Sequence, residues 1–132
     1  MQYYLSLGSN LGEREQTIER AIRLLPGVVA RSSFYYSPAQ EFVSPHPFCN
    51  CCVRIETDLE PMALLRLTQS IERQLGRTRK SVHGQHFDRE IDIDILMGEV
   101  QICTADLQLP HPKMRERDFV MVPLQEILQK NA

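Results

Sequence analysis

The stretch Arg89-Glu90-Ile91-Asp92-Ile93-Asp94-Ile95-Leu96 alternates isoleucine with acid, and this period of two marks a β-strand with one buried face. Side chains on a strand point to opposite faces in turn, so Ile91, Ile93 and Ile95 share one face while Asp92 and Asp94 share the other. Two strand rises put the aspartate Cα atoms roughly 6.6 Å apart. Ionised carboxylates at that spacing repel by about 2 kcal/mol at an effective dielectric near 20. A sheet that carries such a pair needs either open solvent or cations on that face.

The rest of the chain supplies partners for this strand. Tyr3 to Leu7 reads as a first strand ending at Gly8-Ser9-Asn10, and Ile18, Ala21, Ile22 and Leu25 mark one helical face that Pro26-Gly27 stops. Residues 28–36, "VVARSSFYY", are β-branched and aromatic and predict a second strand. Pro38, Pro45 and Pro47 make 37–47 a loop, and "CNCCVRIETD" at 49–58 is a third strand. Pro61 opens a helix whose face is Leu64, Leu67, Ile71 and Leu75, with Gly76 as its stop. The aspartate strand follows as the fourth. A short strand near 100–103, an irregular stretch over 110–118 and a short helix from Pro123 complete the expected order. The class is α+β: a ferredoxin-like βαββαβ sandwich, helices on one face of an antiparallel-rich sheet, and a long functional loop before the fourth strand.

With 132 residues, 42% of them hydrophobic and 24% charged, residues 1–132 are expected to form one globular domain. A net charge of −2 opposes a nucleic-acid partner. No apolar run is long enough to span a bilayer, and the first residues lack a secretory leader, so the expectation is a soluble, cytoplasmic monomer without membrane contact. Cys49, Cys51 and Cys52 lack metal-ligand spacing, and alternation would place Cys52 opposite the other two as buried, reduced thiols.

Basic residues are unevenly spread. Between Gly76 and Ile91 lies "RTRKSVHGQHFDRE", with Arg77, Arg79, Lys80, His83, His86 and Arg89; "LPHPKMRERDF" adds His111, Lys113, Arg115 and Arg117. A polar loop that long inside a small domain suits a lid or binding loop. Carboxylates on one face suit Mg²⁺, which commonly takes one or two of them plus substrate phosphates. Arginines suit the remaining phosphate oxygens. Acid for metal and base for phosphate suggest a nucleotide triphosphate site, held by side chains because no Gly-rich phosphate loop occurs. By itself, D-x-D also suits a solvated edge strand, a basic loop suits plain surface, and Phe48 and Phe119 suit the core.

The chain resembles the 6-hydroxymethyl-7,8-dihydropterin pyrophosphokinase family in "LGSNLG" at 7–12, "SFYYSPA" at 33–39, "FCNCCVRIET" at 48–57, "IERQLGRTR" at 71–79, "DREIDIDIL" at 88–96 and "LPHPKMRERDFVMVPLQEI" at 109–127. The resemblance implies an enzyme of folate biosynthesis that transfers pyrophosphate from ATP to the hydroxymethyl group of a reduced pterin and releases AMP. It implies that Asp92 and Asp94 hold magnesium, two ions being the expectation, and that Arg77 and Arg89 join them in catalysis. ATP would meet Gln69, Glu72, Arg77, Arg79, Arg89, His111 and Arg117. The pterin would meet Asn50 at its edge, Phe48 and Phe119 at its faces, and Ser37, Pro38 and Gln40 along the same pocket. Where relatives carry Trp-Gly-Pro-Arg before the acidic strand, this chain has His83-Gly84-Gln85-His86-Phe87-Asp88-Arg89. The rival readings are a non-catalytic ferredoxin-like metal or metabolite binding module and an RNA-binding sheet, the latter opposed by the charge balance and the aspartates.

Overall fold

Tyr3, Leu5 and Leu7 alternate with Tyr4, Ser6 and Gly8, and the segment forms the long strand β1 (Gln2–Ser9) at the centre of the sheet. The computed structural model describes residues 1–37, 47–76 and 90–130. Helix α1 (Arg14–Leu24) follows, and a turn at Gly27 leads into β2 (Val28–Arg31). Gly27 has φ +62°, and a β-carbon there would come within 1.9 Å of the Glu56 carbonyl oxygen, so the turn needs glycine on both counts. Next come β3 (Tyr35–Ser37), β4 (Phe48–Glu56), α2 (Pro61–Gln74) and β5 (Asp92–Gly98). The hairpin β6 (Ile102–Cys103) and β7 (Gln108–Leu109), a 3-10 turn at Met114–Glu116 and α3 (Asp118–Lys130) complete the chain.

The main sheet is antiparallel in the order β2-β4-β1-β5, with β3 pairing the start of β4. One face is apolar along its whole length. Tyr3, Leu5, Leu7, Cys49, Cys51, Val53, Ile55, Ile93 and Ile95 meet Ile18 and Ala21 of α1 and Leu64 and Ile71 of α2 there. The opposite face is divided. At one end Cys52 and Leu96 pack on Val120, Leu124 and Ile127 of α3; at the other, Gly8, Asn50, Asp92 and Asp94 lie on neighbouring strands.

Three expectations need correction. The helices do not all lie on one face: α3 covers the second one, because Cys52, Leu96 and partly buried Tyr4 and Met97 make its far end apolar too. The last helix begins at Asp118, with Pro123 inside it. Proline removes one helical hydrogen bond, and the i, i+4, i+7 contacts of Val120, Leu124 and Ile127 outweigh that loss. The strand expected over 28–36 is two strands. Ser32 takes the Cys52 N–H on its Oγ at 2.9 Å and gives its own N–H to the Cys52 carbonyl at 2.8 Å. A side-chain oxygen thus replaces a backbone rung, and Ser33 turns to α3, donating its N–H to Glu126 Oε2 at 2.8 Å. The expected loop at 77–89 lies outside the described residues, as do Pro38, Gln40, Arg77, Arg79 and Arg89. No described helix is long and apolar enough to cross a membrane.

Candidate active site on the polar half of the sheet

Strand register assembles the site. Gly8 is the cross-strand partner of Asn50 on one side and of Asp92 on the other, and Asn50 in turn faces Tyr35. One row across four strands therefore reads Asp92, Gly8, Asn50, Tyr35. At about 4.8 Å between neighbouring strands, Asp92 and Asn50 stand roughly 10 Å apart at Cα with no side chain between them. The next row places Asp94 and Cys52 on either side of Ser6.

Asn50 is buried, and its amide is oriented. Nδ2 donates to Ser37 Oγ at 3.1 Å and to the Tyr35 carbonyl at 3.5 Å. Oδ1 is turned over Gly8, 2.8 Å from where a β-carbon on that glycine would stand, with Phe48 Cδ1 at 3.5 Å from the same point. Ser37, Phe48 and Asn50, grouped by the family resemblance, are thus brought together. Phe119, in the first turn of α3, is partly buried against the α3-side core, and the Arg117 guanidinium lies over its ring at 5.7 Å.

On the other side of Asp92 the β5 edge opens into a cleft of about 230 Å³, lined by Asp94 and His111 together with apolar Leu65, Ile93 and Ile95. The stretch after β7 reaches back to this edge, where the His111 N–H donates to the Leu96 carbonyl at 2.7 Å. His111 Nδ1 accepts the Lys113 N–H at 3.1 Å. In the neutral imidazole that bond puts the proton on Nε2. A β-bulge shapes the edge as well: Tyr4 pairs with Met97 and Leu5 with Ile95, so Leu96 is the extra residue, two positions after Asp94. Half-buried Gln69 and buried Glu72 are one helical turn apart on α2, and Glu72 Oε2 accepts the Ile93 N–H at 2.8 Å.

Asp92 and Asp94 are both half-exposed. Among the described residues no group of three or more His, Cys, Asp or Glu side chains forms a complete metal cage. Two carboxylates on one open face fit Mg²⁺ nonetheless, because this ion takes few protein ligands and completes its shell with water and phosphate oxygen. The thiols take no part. Cys49, Cys51 and Cys52 are buried and free, as expected, and burial followed by the charge of Glu15 pushes the Cys49 thiol up to about 11.

The sequence reading passed over two features. Gly8 counted there as the stop of the first strand, whereas β1 runs on to Ser9 and the glycine marks a close approach of the neighbouring side chain. The cleft wall of Leu65 and Ile95 had no signal, since each is an ordinary member of a helical or strand pattern.

The chain is similar to known proteins over nearly its whole length. Residues 4–129 match the family described as 7,8-dihydro-6-hydroxymethylpterin-pyrophosphokinase (HPPK). A 2-amino-4-hydroxy-6-hydroxymethyldihydropteridine pyrophosphokinase of Porphyromonas gingivalis is 47% identical over 130 residues, covering 94% of this chain and 88% of that protein. One of Bacillus subtilis is 42% identical over 133 residues, covering 96% and 78%. A solved structure described as HPPK-DHPS in complex with substrates superposes with a TM-score of 0.72 at 14% identity, which speaks to the fold alone. It matches 96% of this chain, and the chain spans 40% of that longer one.

Proposed function

The chain belongs to the 7,8-dihydro-6-hydroxymethylpterin-pyrophosphokinase family, and from that premise we infer that it is the ATP-dependent pyrophosphokinase of folate biosynthesis. The reaction moves the terminal pyrophosphate of ATP onto the hydroxymethyl oxygen of 6-hydroxymethyl-7,8-dihydropterin. The pterin oxygen bonds to the β-phosphorus, the bond from that phosphorus to the α–β bridging oxygen breaks, and AMP leaves. The hydroxyl proton passes to solvent or to a phosphate oxygen. The observation that supports the reading is the row Asp92, Gly8, Asn50, which sets a carboxylate and a buried side-chain amide on one face, two strands apart, with only a glycine on the strand between them.

Asn50 offers its Oδ1 acceptor to the amide-like edge of the pterin, while its Nδ2 donors are held by Ser37 and Tyr35. Phe48 and Phe119 cover the ring faces, and Ser37 holds the Asn50 amide in place, with Pro38 and Gln40 assigned to the same pocket. The cleft beside Asp94 takes the nucleotide: Leu65, Ile93 and Ile95 suit a flat base, and His111 Nε2 suits a phosphate oxygen. Gln69, Arg77, Arg79, Arg89 and Arg117 are assigned to ATP as well. Asp92 and Asp94 would hold magnesium, two ions in this reading. Magnesium bound there supplies neutralisation of the phosphate charge that builds up during transfer. The rest of the catalysis is positioning, since transfers of this kind depend mainly on alignment and electrostatics. The sheet order supports the ferredoxin-like βαββαβ arrangement, and we read residues 1–132 as one domain acting as a cytoplasmic monomer.

The test is a nucleotide assay with ATP, magnesium and the reduced pterin. AMP formed only when pterin is present is the expected result. Formation of ADP, or binding of both ligands without turnover, would overturn the reading, and the second outcome would indicate a binding module.

A further inference from the structure

β5 is the outer strand of the main sheet. In an antiparallel pair, successive N–H groups turn alternately toward the neighbouring strand and away from it. The amide of Ile93, midway between Asp92 and Asp94, turns away from β1 and meets Glu72 Oε2 of α2 at 2.8 Å. Glu72 is only 7% exposed. A carboxylate that deep is costly unless it is hydrogen-bonded, and a carboxylate on a backbone N–H makes one of the stronger protein hydrogen bonds. The resemblance to the family assigns Glu72 to ATP, yet this oxygen is engaged with the strand that presents the aspartates.

We propose that Glu72 is a positioning residue: its carboxylate clamps the Ile93 amide and so fixes the relative placement of Asp92 and Asp94. The proposal rests on the pyrophosphokinase reading for its consequence, though not for its geometry. Only the backbone of Ile93 separates the two aspartates, so the φ and ψ of that residue set how their carboxylates stand to one another. An outer strand has no neighbour on its far side to hold those angles. Mg²⁺ demands near-octahedral ligands at about 2.0–2.1 Å and tolerates little drift. The α2 helix supplies the missing neighbour through one side chain, while Leu64 and Ile71 seat the helix on the sheet.

The test compares Glu72→Ala with Glu72→Gln, which keeps an acceptor but loses the charge. In Glu72→Ala the magnesium concentration needed for half-maximal turnover rises roughly 10–100-fold, the range typical when a hydrogen bond orienting a metal ligand is lost. Separately titrated pterin affinity stays within about twofold, since Asn50 is held by Ser37 and Tyr35 rather than by α2. Glu72→Gln recovers most of the magnesium dependence. A Gln variant as impaired as the Ala variant would assign Glu72 to the nucleotide through its charge, and an Ala variant with unchanged magnesium dependence would remove the clamp. Amide exchange supplies a readout without turnover or substitution. In the ligand-free wild-type protein the Ile93 N–H is protected, and rapid exchange there would overturn the proposal even if Glu72→Ala failed to fold. Absence of pterin-dependent AMP formation by the wild-type protein would instead sink the pyrophosphokinase reading and leave the Ile93 result standing.

Discussion

Asn50 and Gly8 face one another across the β1–β4 ladder, and Asn50 Oδ1 lies 2.8 Å from the place a β-carbon on Gly8 would occupy. The amide assigned to the pterin edge is therefore placed by the absence of a side chain on the neighbouring strand. Gly8→Ala should push Asn50 off its bonds to Ser37 and Tyr35 and narrow the gap toward Asp92. Overpacking of this kind costs about 1–3 kcal/mol of stability. Pterin affinity should fall by about tenfold or more, the equivalent of one unpaired buried polar group. Calorimetric titration of each ligand checks this, and pterin affinity equal to wild type would show that the pocket does not depend on the glycine.

Asn50 itself gives a sharper version of the same test. Asn50→Leu removes both the acceptor and the donor, and it leaves Ser37 Oγ without the amide that now donates to it at 3.1 Å. An unpaired buried polar group costs about 1–3 kcal/mol, so pterin binding should weaken roughly tenfold or more. ATP affinity should scarcely change, because the cleft beside Asp94 and His111 is built from β5, α2, the β6–β7 hairpin and the segment after it. Equal losses for the two ligands would make Asn50 a structural residue.

Asp92→Asn and Asp94→Asn should each leave the ligand-free chain folded and remove magnesium-dependent transfer. The fall in turnover should exceed the roughly 10²–10³-fold that loss of one electrostatic donor costs in other enzymes. The two variants should differ in what else they disturb. Asp94 lines the cleft proposed for the nucleotide, so its variant should also weaken magnesium–ATP binding. Asp92 shares a row with Gly8 and Asn50, so its variant should damage turnover more than ATP binding. Near-wild-type turnover in both would end the metal assignment, and circular dichroism confirms that the fold is intact.

The alternation of Ile91, Asp92, Ile93, Asp94 and Ile95 was legible because a period of two has one structural meaning when one face is fully apolar, and all three isoleucines are buried. The two main amphipathic helices and the split of the cysteines between faces were legible for the same reason. What escaped was whatever depends on the third dimension. Ser32 breaks a strand because its hydroxyl meets Cys52, 20 positions away. Pro123 is tolerated inside α3 because tertiary packing overrides its local cost. The row Asp92, Gly8, Asn50 joins three strands whose register no single segment encodes. Glu72 illustrates the limit best, since a glutamate on a helix gives no sign that it will cap an amide 21 positions further on.

The buried thiols give the last prediction. Burial raises Cys49 from 9.0 to about 11 and pushes Cys51 and Cys52 above the usual thiol value as well. An acid whose folded pKa lies above its unfolded one keeps a proton that the unfolded chain releases. Below pH 9 both states hold the proton and these groups contribute no pH dependence. As pH rises from 9 toward 11 the unfolded chain is progressively favoured, by at most about 1.4 kcal/mol per pH unit for each thiol. Urea unfolding in the presence of reductant should therefore give a stability that is flat from pH 7.5 to 8.5 and falls between pH 9 and 10. Cys49→Ala should be less stable at pH 7.5, where a well-packed core atom is lost, and should show a shallower alkaline slope. Cys103 is the exposed thiol of the four, so an aromatic disulfide at pH 8 should label one thiol rapidly in the folded protein and all four after unfolding. Rapid labelling of more than one thiol, or an alkaline slope unchanged by removing Cys49, would show that β4 opens more readily than its burial implies.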